Sequence, residues 1–256
     1  LGKKKEIVYD LSTESGLFSI NGLVLHNTDS LFIHGDKEKV LEFLKKINNE
    51  LPGRIQLDLE DFYVRGLFVK KRQSGKGAKK KYALLSEDGR IKLRGFEAIR
   101  SDWAPIVKEV QTKVLEILLK EGDVEKAKNY VKEVIKKLRN REIPWEKLVI
   151  YETIRKPLNE YKVDAPHVVA AKKYQKYGYK VGPGFKVGYI IVSETGRVSD
   201  RIKIIPEIRG NEYNPNYYIE RQLMPAIEQI FESIGIRWEE LEGKASKGLW
   251  SFLKKK

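Results

Sequence analysis

Five consecutive residues, His26-Asn27-Thr28-Asp29-Ser30, bring two separate chemistries to one peptide bond. To the left of the Asn27–Thr28 bond, an asparagine side-chain amide can attack its own main-chain carbonyl, close a succinimide and break the bond that follows. His26 can give a hydrogen bond or a proton to that carbonyl. Thr28 supplies a hydroxyl nucleophile once a base activates it. To the right, Asp29 stands between small polar residues ahead of the apolar run Leu31-Phe32-Ile33. A carboxylate at the head of a strand can offer oxygen to a hard divalent cation. His-Asn-Thr alone arises by chance, and an aspartate before a strand is ordinarily a turn residue, so both readings depend on the rest of the chain.

The chain has 256 residues, 41% hydrophobic and 34% charged, enough to bury a core in one or two domains. There is no cysteine. Disulfides, thiolate metal sites and cysteine nucleophiles are thereby excluded, and a nucleophile has to be a hydroxyl, an amide or a carboxylate. No run approaches 18 apolar residues, so no membrane partner is expected, and without a signal-peptide pattern the expected location is cytoplasmic. Fifty Lys and Arg against 36 Asp and Glu give a net charge of +14. Such an excess suits a polyanion, because each neutralised phosphate releases counterions; a solvated surface suits it equally well. Abundant Lys and Glu with a single Met fit a thermophilic source.

The elements that must hold these groups follow from the pattern. Glu6–Leu11 reads as a strand, 12–16 as a turn, and Leu17–Ile20 as the returning strand. Asn21-Gly22 is a strong hairpin signal, and Leu23-Val24-Leu25 then delivers His26 and Asn27. A hairpin and one strand cannot fold alone, so this segment needs strands from elsewhere. Asp36 is placed to cap a helix over 36–50 with apolar Val40, Leu41, Phe43, Leu44 and Ile47. Strands are expected over 55–60, 62–69, 82–85 and 91–94, with 70–81 as a basic hairpin tip and a turn at Glu87-Asp88-Gly89. From Trp103 the spacing turns helical, through Val107 to Leu118 and Ala127 to Leu138. A mixed stretch with a turn at Gly182-Pro183-Gly184, a strand over 189–193 and a helix over 216–234 complete it.

Two family resemblances sharpen this. Ile7-Val8-Tyr9-Asp10-Leu11 and Asn21-Gly22-Leu23-Val24-Leu25-His26-Asn27 before Thr28 resemble the last two conserved blocks of inteins, and residues 1–27 look like the C-terminal half of a split intein. The resemblance implies that Asn27 cyclises, His26 assists, Asp10 serves near the first acyl shift and Thr28 receives the branched ester. Gly16-Leu17-Phe18 lacks the His that many inteins carry there, which leaves His26 as the general acid. Thr28-Asp29-Ser30, placed after a Tyr-Gly-Asp-like end, would complete the Asp-Thr-Asp-Ser motif of family B DNA polymerases. Phe62 to Val69 and Lys79-Lys80-Lys81-Tyr82-Ala83 resemble the palm strands and the basic motif of archaeal members. Arg94-Gly95-Phe96-Glu97 and Arg100-Ser101-Asp102-Trp103 are similar to the next conserved stretch, and Lys70 to Lys76 looks like an insertion. Leu148 to Glu152, Tyr161-Lys162, Ala165 to Ala170 and Tyr217 to Glu220 are similar to the archaeal thumb; Tyr213, Tyr217 and Tyr218 are expected to pack, and His167 is expected to be packed or at the surface, with a DNA contact as the alternative.

By that resemblance Asp29 and Glu60 are metal ligands for Mg²⁺, in a two-ion site shared with another chain. Lys79, Lys80, Lys81, Tyr82, Arg94 and Gly95 lie on DNA. The tail Gly248 to Leu253 resembles a sliding-clamp peptide with anchors Leu249, Phe252 and Leu253, although Ser246 stands where a Gln is usual. A terminal turn folding onto its own domain is the alternative. The fold class expected is α+β: a small β intein segment over 1–27, the C-terminal part of a palm over 28–103, a mainly helical thumb over 104–242 and a tail over 243–256. The chain resembles the small subunit of a split archaeal polymerase of the nanoarchaeal type. Its expected partners are a large polymerase subunit carrying the other intein half, primer-template DNA, dNTP and the sliding clamp. Three alternatives stay open: a piece of a single-chain polymerase with a contiguous intein, a non-catalytic basic DNA-binding module, and noncovalent pairing without splicing.

Overall fold

The computed structural model describes residues 8–12, 17–20, 23–26, 31–51, 56–70, 77–100 and 102–242. The chain divides into two compact units, residues 1–68 with 81–94, and residues 69–80 with 95–256.

The first unit is built on a five-stranded sheet. In chain order its strands are β1 (Val8–Ser12), β4 (Leu31–His34), β5 (Asp58–Lys70), β6 (Gly77–Ser86) and β7 (Ile91–Arg94), with spatial order β4-β1-β5-β6-β7. Between β1 and β4 in sequence, β2 (Leu17–Ile20) and β3 (Leu23–His26) form a separate hairpin. Helix α1 (Lys37–Glu50) starts where expected: the Asp36 carboxylate accepts from the Glu38 N–H at 3.0 Å. Of its apolar residues, Val40 and Ile47 are buried, whereas Leu41 and Phe43 face outward. Ile47 and Leu57 form a small core with Ile33, Leu44 and Leu59 around it. Asn48 fixes the approach of α1 to the start of β5 by pairing with both backbone groups of Leu57, donating at 2.9 Å and accepting at 2.7 Å.

Two expectations are corrected here. The strand over 8–12 does not return through 17–20. It pairs antiparallel with β4 on one side and β5 on the other, while β2 pairs with β3 in a register that sets Ile20 opposite Leu23. Only Asn21 and Gly22 separate those partners, so the shorter closure costs less chain entropy than the one over 13–16. The need of this segment for strands from elsewhere is met by β4 and β5. Secondly, 55–60 and 62–69 are not two strands; β5 is continuous over Asp58–Lys70. The polar break expected at Asp61 is absorbed within the strand, because its carboxylate accepts from Ser86 Oγ and from the Phe62 N–H, each at 2.8 Å. The turn at Glu87-Asp88-Gly89 closes β6 onto β7, with Gly89 at φ 86° and its N–H on Ser86 O.

The second unit carries α2 (Pro105–Glu116), α3 (Val124–Arg139), α4 (Pro166–Lys176), α5 (Pro215–Tyr217), α6 (Met224–Ser233) and α7 (Trp238–Glu242). It also holds an antiparallel sheet of β8 (Ile150–Thr153), β9 (Lys186–Ile191) and β10 (Ile202–Ile204), in the order β10-β9-β8. The strand expected over 189–193 is observed as β9, slightly earlier, whereas β8, β10 and α4 were not read as elements, so the unit is less purely helical than expected. Pro166 at the first helical turn and the small stripe Val168, Ala170, Ala171 were the available signals for α4, which packs on β9 and β10. A turn of π-helix, Tyr218–Leu223, joins α5 to α6, so the helical run predicted over 216–234 is observed with one widened turn. Gln111 of α2, fully buried, is the polar centre. Its amide nitrogen donates to Ala226 O at 2.6 Å and Glu97 Oε2 at 2.8 Å, and its oxygen accepts from the Ala98 N–H at 2.7 Å. Tyr213 and Tyr218 pack edge-to-face as expected, and both hydroxyls are satisfied by backbone groups.

Candidate nucleic-acid interface

In the first unit the antiparallel pairing of β6 and β7 gathers three of the residues singled out from sequence. Tyr82 lies directly opposite Arg94, and Lys81 precedes it on the same strand. Tyr82 is buried, its ring edge-on to Phe32 at 4.9 Å and tilted against Phe68 at 5.8 Å, so it serves as packing beneath the hairpin. Lys81 keeps a partly exposed side chain and Arg94 an exposed one. Gly95, at φ 69°, ends β7 in a conformation that side chains resist. Gly66 allows β5 and β6 to close up: a Cβ there would stand 2.8 Å from Leu84 Cδ2.

Glu60 on β5 is half-exposed, and its carboxylate is paired with Lys92 of β7. Among the described residues no group of three or more His, Cys, Asp or Glu side chains converges on one point. Glu60 offers the right kind of oxygen for a hard cation, but the described part of this chain does not make a complete cage. Asn27, Thr28, Asp29, Leu249, Phe252 and Leu253 lie outside the described residues. For Asp10, His26, Lys79 and Lys80 the backbone alone is described, within β1, β3 and β6.

Within the second unit is a cleft of about 810 Å³ whose wall includes Arg100, Tyr151, Glu152, Lys156, Tyr161 and His167. Its frame is a polar chain. Tyr189 donates to Glu152 Oε1 at 2.5 Å, and Glu152 Oε2 lies 3.2 Å from His167 Nδ1. Burial, and after it the neighbouring Glu152 charge, push the Tyr189 hydroxyl far above the usual tyrosine range, so it stays a donor. The Tyr161 ring sits edge-on to His167 at 5.6 Å, and its hydroxyl accepts from the Arg155 N–H at 3.0 Å. Lys156 Nζ lies 4.9 Å from the Tyr161 ring. Arg100 grips Asp102 through two bonds of 2.7 and 3.1 Å. His167 is therefore packed and paired, as expected for it. Tyr189 and Arg155 were missed as parts of this cleft, because β8 and β9, which bring Glu152 and Tyr189 together, are pairings of residues far apart in sequence. Cationic ends around an aromatic wall can hold phosphates without reading bases.

The scaffold so described is α+β. The family model for DNA polymerase family B matches residues 20–234. The DNA polymerase of Thermococcus aggregans is 45% identical over 260 residues, covering 97% of this chain and 14% of that protein. The DNA polymerase of Pyrococcus glycovorans is 48% identical over 226 residues, covering 86% of this chain and 28% of that protein. Among solved structures, the family B DNA polymerase from the hyperthermophilic archaeon Pyrobaculum calidifontis is similar with a TM-score of 0.63 and 36% identity, over 82% of this chain and 26% of that one. The chain belongs to DNA polymerase family B. It spans well under a third of the length of these relatives.

Proposed function

We propose that this chain is the small, C-terminal part of a DNA-directed DNA polymerase that is joined to a large chain by trans-splicing at Asn27–Thr28. Residues 28–103 then complete a palm, residues 104–242 form the thumb, and residues 243–256 carry a clamp-binding peptide. The observation that carries the splicing reading is the run Asn21-Gly22-Leu23-Val24-Leu25-His26-Asn27 ahead of Thr28, which sets an imidazole, a side-chain amide and a hydroxyl in consecutive positions. In the splice, the Thr28 hydroxyl first attacks the acyl group that the large chain carries on the first-residue side chain of the other intein half; that side chain leaves and takes up the hydroxyl proton, and the ester forms on Thr28. The Asn27 side-chain nitrogen then loses a proton and attacks the Asn27 carbonyl carbon, and the bond to the Thr28 nitrogen breaks, with His26 supplying the proton that the amine takes up. The freed amine then converts the ester on the Thr28 hydroxyl into a peptide bond.

In the joined enzyme Asp29 and Glu60 are oxygen ligands toward Mg²⁺, with the remaining carboxylates on the large chain. The two ions, when bound, supply charge neutralisation for in-line transfer from dNTP to a primer hydroxyl. Lys79, Lys80, Lys81 and Arg94 hold the primer-template backbone, and the Arg100–His167 cleft offers phosphate contacts of its own. Asp29→Ala in the joined enzyme is expected to lower nucleotide incorporation by about a thousandfold or more while leaving primer-template affinity within about twofold. Unchanged incorporation would reduce the chain to a basic DNA-binding module. A second reading, a piece of a single-chain polymerase with a contiguous intein, is favoured by the match of the Thermococcus protein to 97% of this chain. A start codon just upstream of Leu1 in the gene would exclude it.

A further inference from the structure

Between Asp164 and Glu194 the chain carries five lysines and no acidic residue. Three of those cations are engaged. Lys172 Nζ lies 2.5 Å from Asp164, Lys173 Nζ 2.9 Å from Glu207, and Lys186 Nζ 4.9 Å from the Tyr151 ring. The other two, Lys176 and Lys180, are exposed and have no carboxylate partner among the described residues. The aromatic side chains around them divide in the same way. Tyr174 is buried at the end of α4, where its hydroxyl donates to Gly188 O at 3.0 Å. Tyr177 and Tyr179, by contrast, are 53% and 47% exposed. An aromatic ring left in water forgoes the burial that usually makes it stabilising, and here two such rings stand one residue apart. They are not on a loose tail. The Tyr177 N–H donates to Lys173 O at 3.2 Å, Gly178 turns the chain at φ 85°, and the Tyr179 N–H donates back to Tyr174 O at 3.1 Å. The Tyr179 ring stands edge-on to Tyr174 at 5.2 Å, so the buried tyrosine buttresses the exposed one. A Cβ at Gly178, Gly182 or Gly184 would meet nothing within 4 Å, which leaves the turn open on both sides of Lys180.

We propose that Tyr177 and Tyr179, with Lys176 and Lys180, form a stacking platform for single-stranded DNA. Each nucleotide of an unpaired strand brings one π-face and one phosphate. The turn after α4 offers the matching pair of groups twice, as Lys176 beside Tyr177 and as Tyr179 beside Lys180. Bases within a duplex have their faces covered by their neighbours and cannot use the rings. An acidic peptide would match the lysines and leave the rings in water. Stacking accepts any base, so the platform grips a strand without reading its sequence. These residues are not those given above to the primer-template duplex, and they act on a different form of the nucleic acid. The choice of DNA rests on the reading of the chain as part of a DNA polymerase, whose template strand is unpaired until it is copied.

The test uses the full 256-residue chain without a large chain, so its failure would leave the Asp29 incorporation test above untouched. Fluorescence anisotropy is read with a labelled oligothymidylate of about 16 nucleotides, the upper end of the site size of one single-strand-binding fold. A second oligomer of the same length is abasic, keeping the phosphates and lacking the bases. The chain is expected to bind oligothymidylate about tenfold more tightly than the abasic oligomer. Tyr177→Ala with Tyr179→Ala is expected to bring the two affinities within about twofold, and Tyr177→Phe with Tyr179→Phe to keep them apart. Lys176→Gln with Lys180→Gln is expected to weaken both oligomers alike and to lower the salt dependence by about two phosphate contacts. Equal binding of the two oligomers by the unaltered chain, a base preference that survives the alanine pair, or its loss with the phenylalanine pair would each overturn the proposal. Displacement of oligothymidylate by poly-glutamate of equal charge would make the patch a surface for acidic protein, and tighter binding of an oligouridylate would make it a surface for RNA; either overturns it too. An oligomer carrying iododeoxyuridine locates the strand without any substitution, and so decides the matter even if the alanine pair fails to fold. Irradiation is expected to cross-link it to Tyr177 or Tyr179, and cross-links confined to other residues would contradict the assignment.

Discussion

Lys81 and Arg94 stand on either side of a buried tyrosine, and that arrangement assigns different work to neighbouring residues. Tyr82 is held by Phe32, Phe68, Tyr63 and Leu84, so its replacement would disturb the hairpin itself. Lys81, partly exposed, can be changed without opening the core. Lys81→Ala is expected to weaken primer-template binding about equally for unrelated sequences and to lower the salt dependence of binding by about one phosphate contact. Fluorescence titration of labelled duplex at several salt concentrations would measure this. An unchanged salt slope would remove Lys81 from the interface. Much at this scale was legible in the sequence: the Asp36 cap, the Gly89 turn, and the packing of Tyr213 and Tyr218 each follow from a residue type in a fixed local pattern. Tyr189 was not, because its role depends on a carboxylate 37 residues away.

At the scale of elements, Gln111 shows what holds the second unit in one arrangement. Its single amide satisfies groups from residues 97–98 and from α6, so α2, α6 and the chain leading out of β7 are tied through one side chain. Gln111→Leu keeps the volume and strands an N–H, a carbonyl and a carboxylate. It is expected to cost about 2–4 kcal/mol in denaturant unfolding of the whole chain. A loss under about 0.5 kcal/mol would mean that water replaces the amide. Strongly periodic helices, α1, α2 and α3, were readable from sequence, as was the β6–β7 hairpin with its local turn. What escaped was non-local pairing. Whether β1 meets β2 or β5 depends on competing closures, and a carboxylate such as Asp61 reads as a break until Ser86 supplies its partner. Helix α4 was missed because its apolar face is mostly alanine and valine, small enough to lie on β9 and β10 but weak as a periodic signal.

For the whole molecule, a charge of +14 on 256 residues matches a polyanionic partner. The chain belongs to DNA polymerase family B and spans well under a third of the length of the relatives it matches. Within the proposed enzyme the junction at Asn27–Thr28 is a bond to be rearranged, three residues ahead of the start of β4. The joining itself is the central claim. Its most direct test is the intact mass of the species formed when this chain is mixed with the large polymerase chain carrying the other intein half. The account predicts a new product equal to the large chain's polymerase part plus residues 28–256, together with a released peptide that ends in a succinimide at Asn27. Two unchanged masses would contradict it.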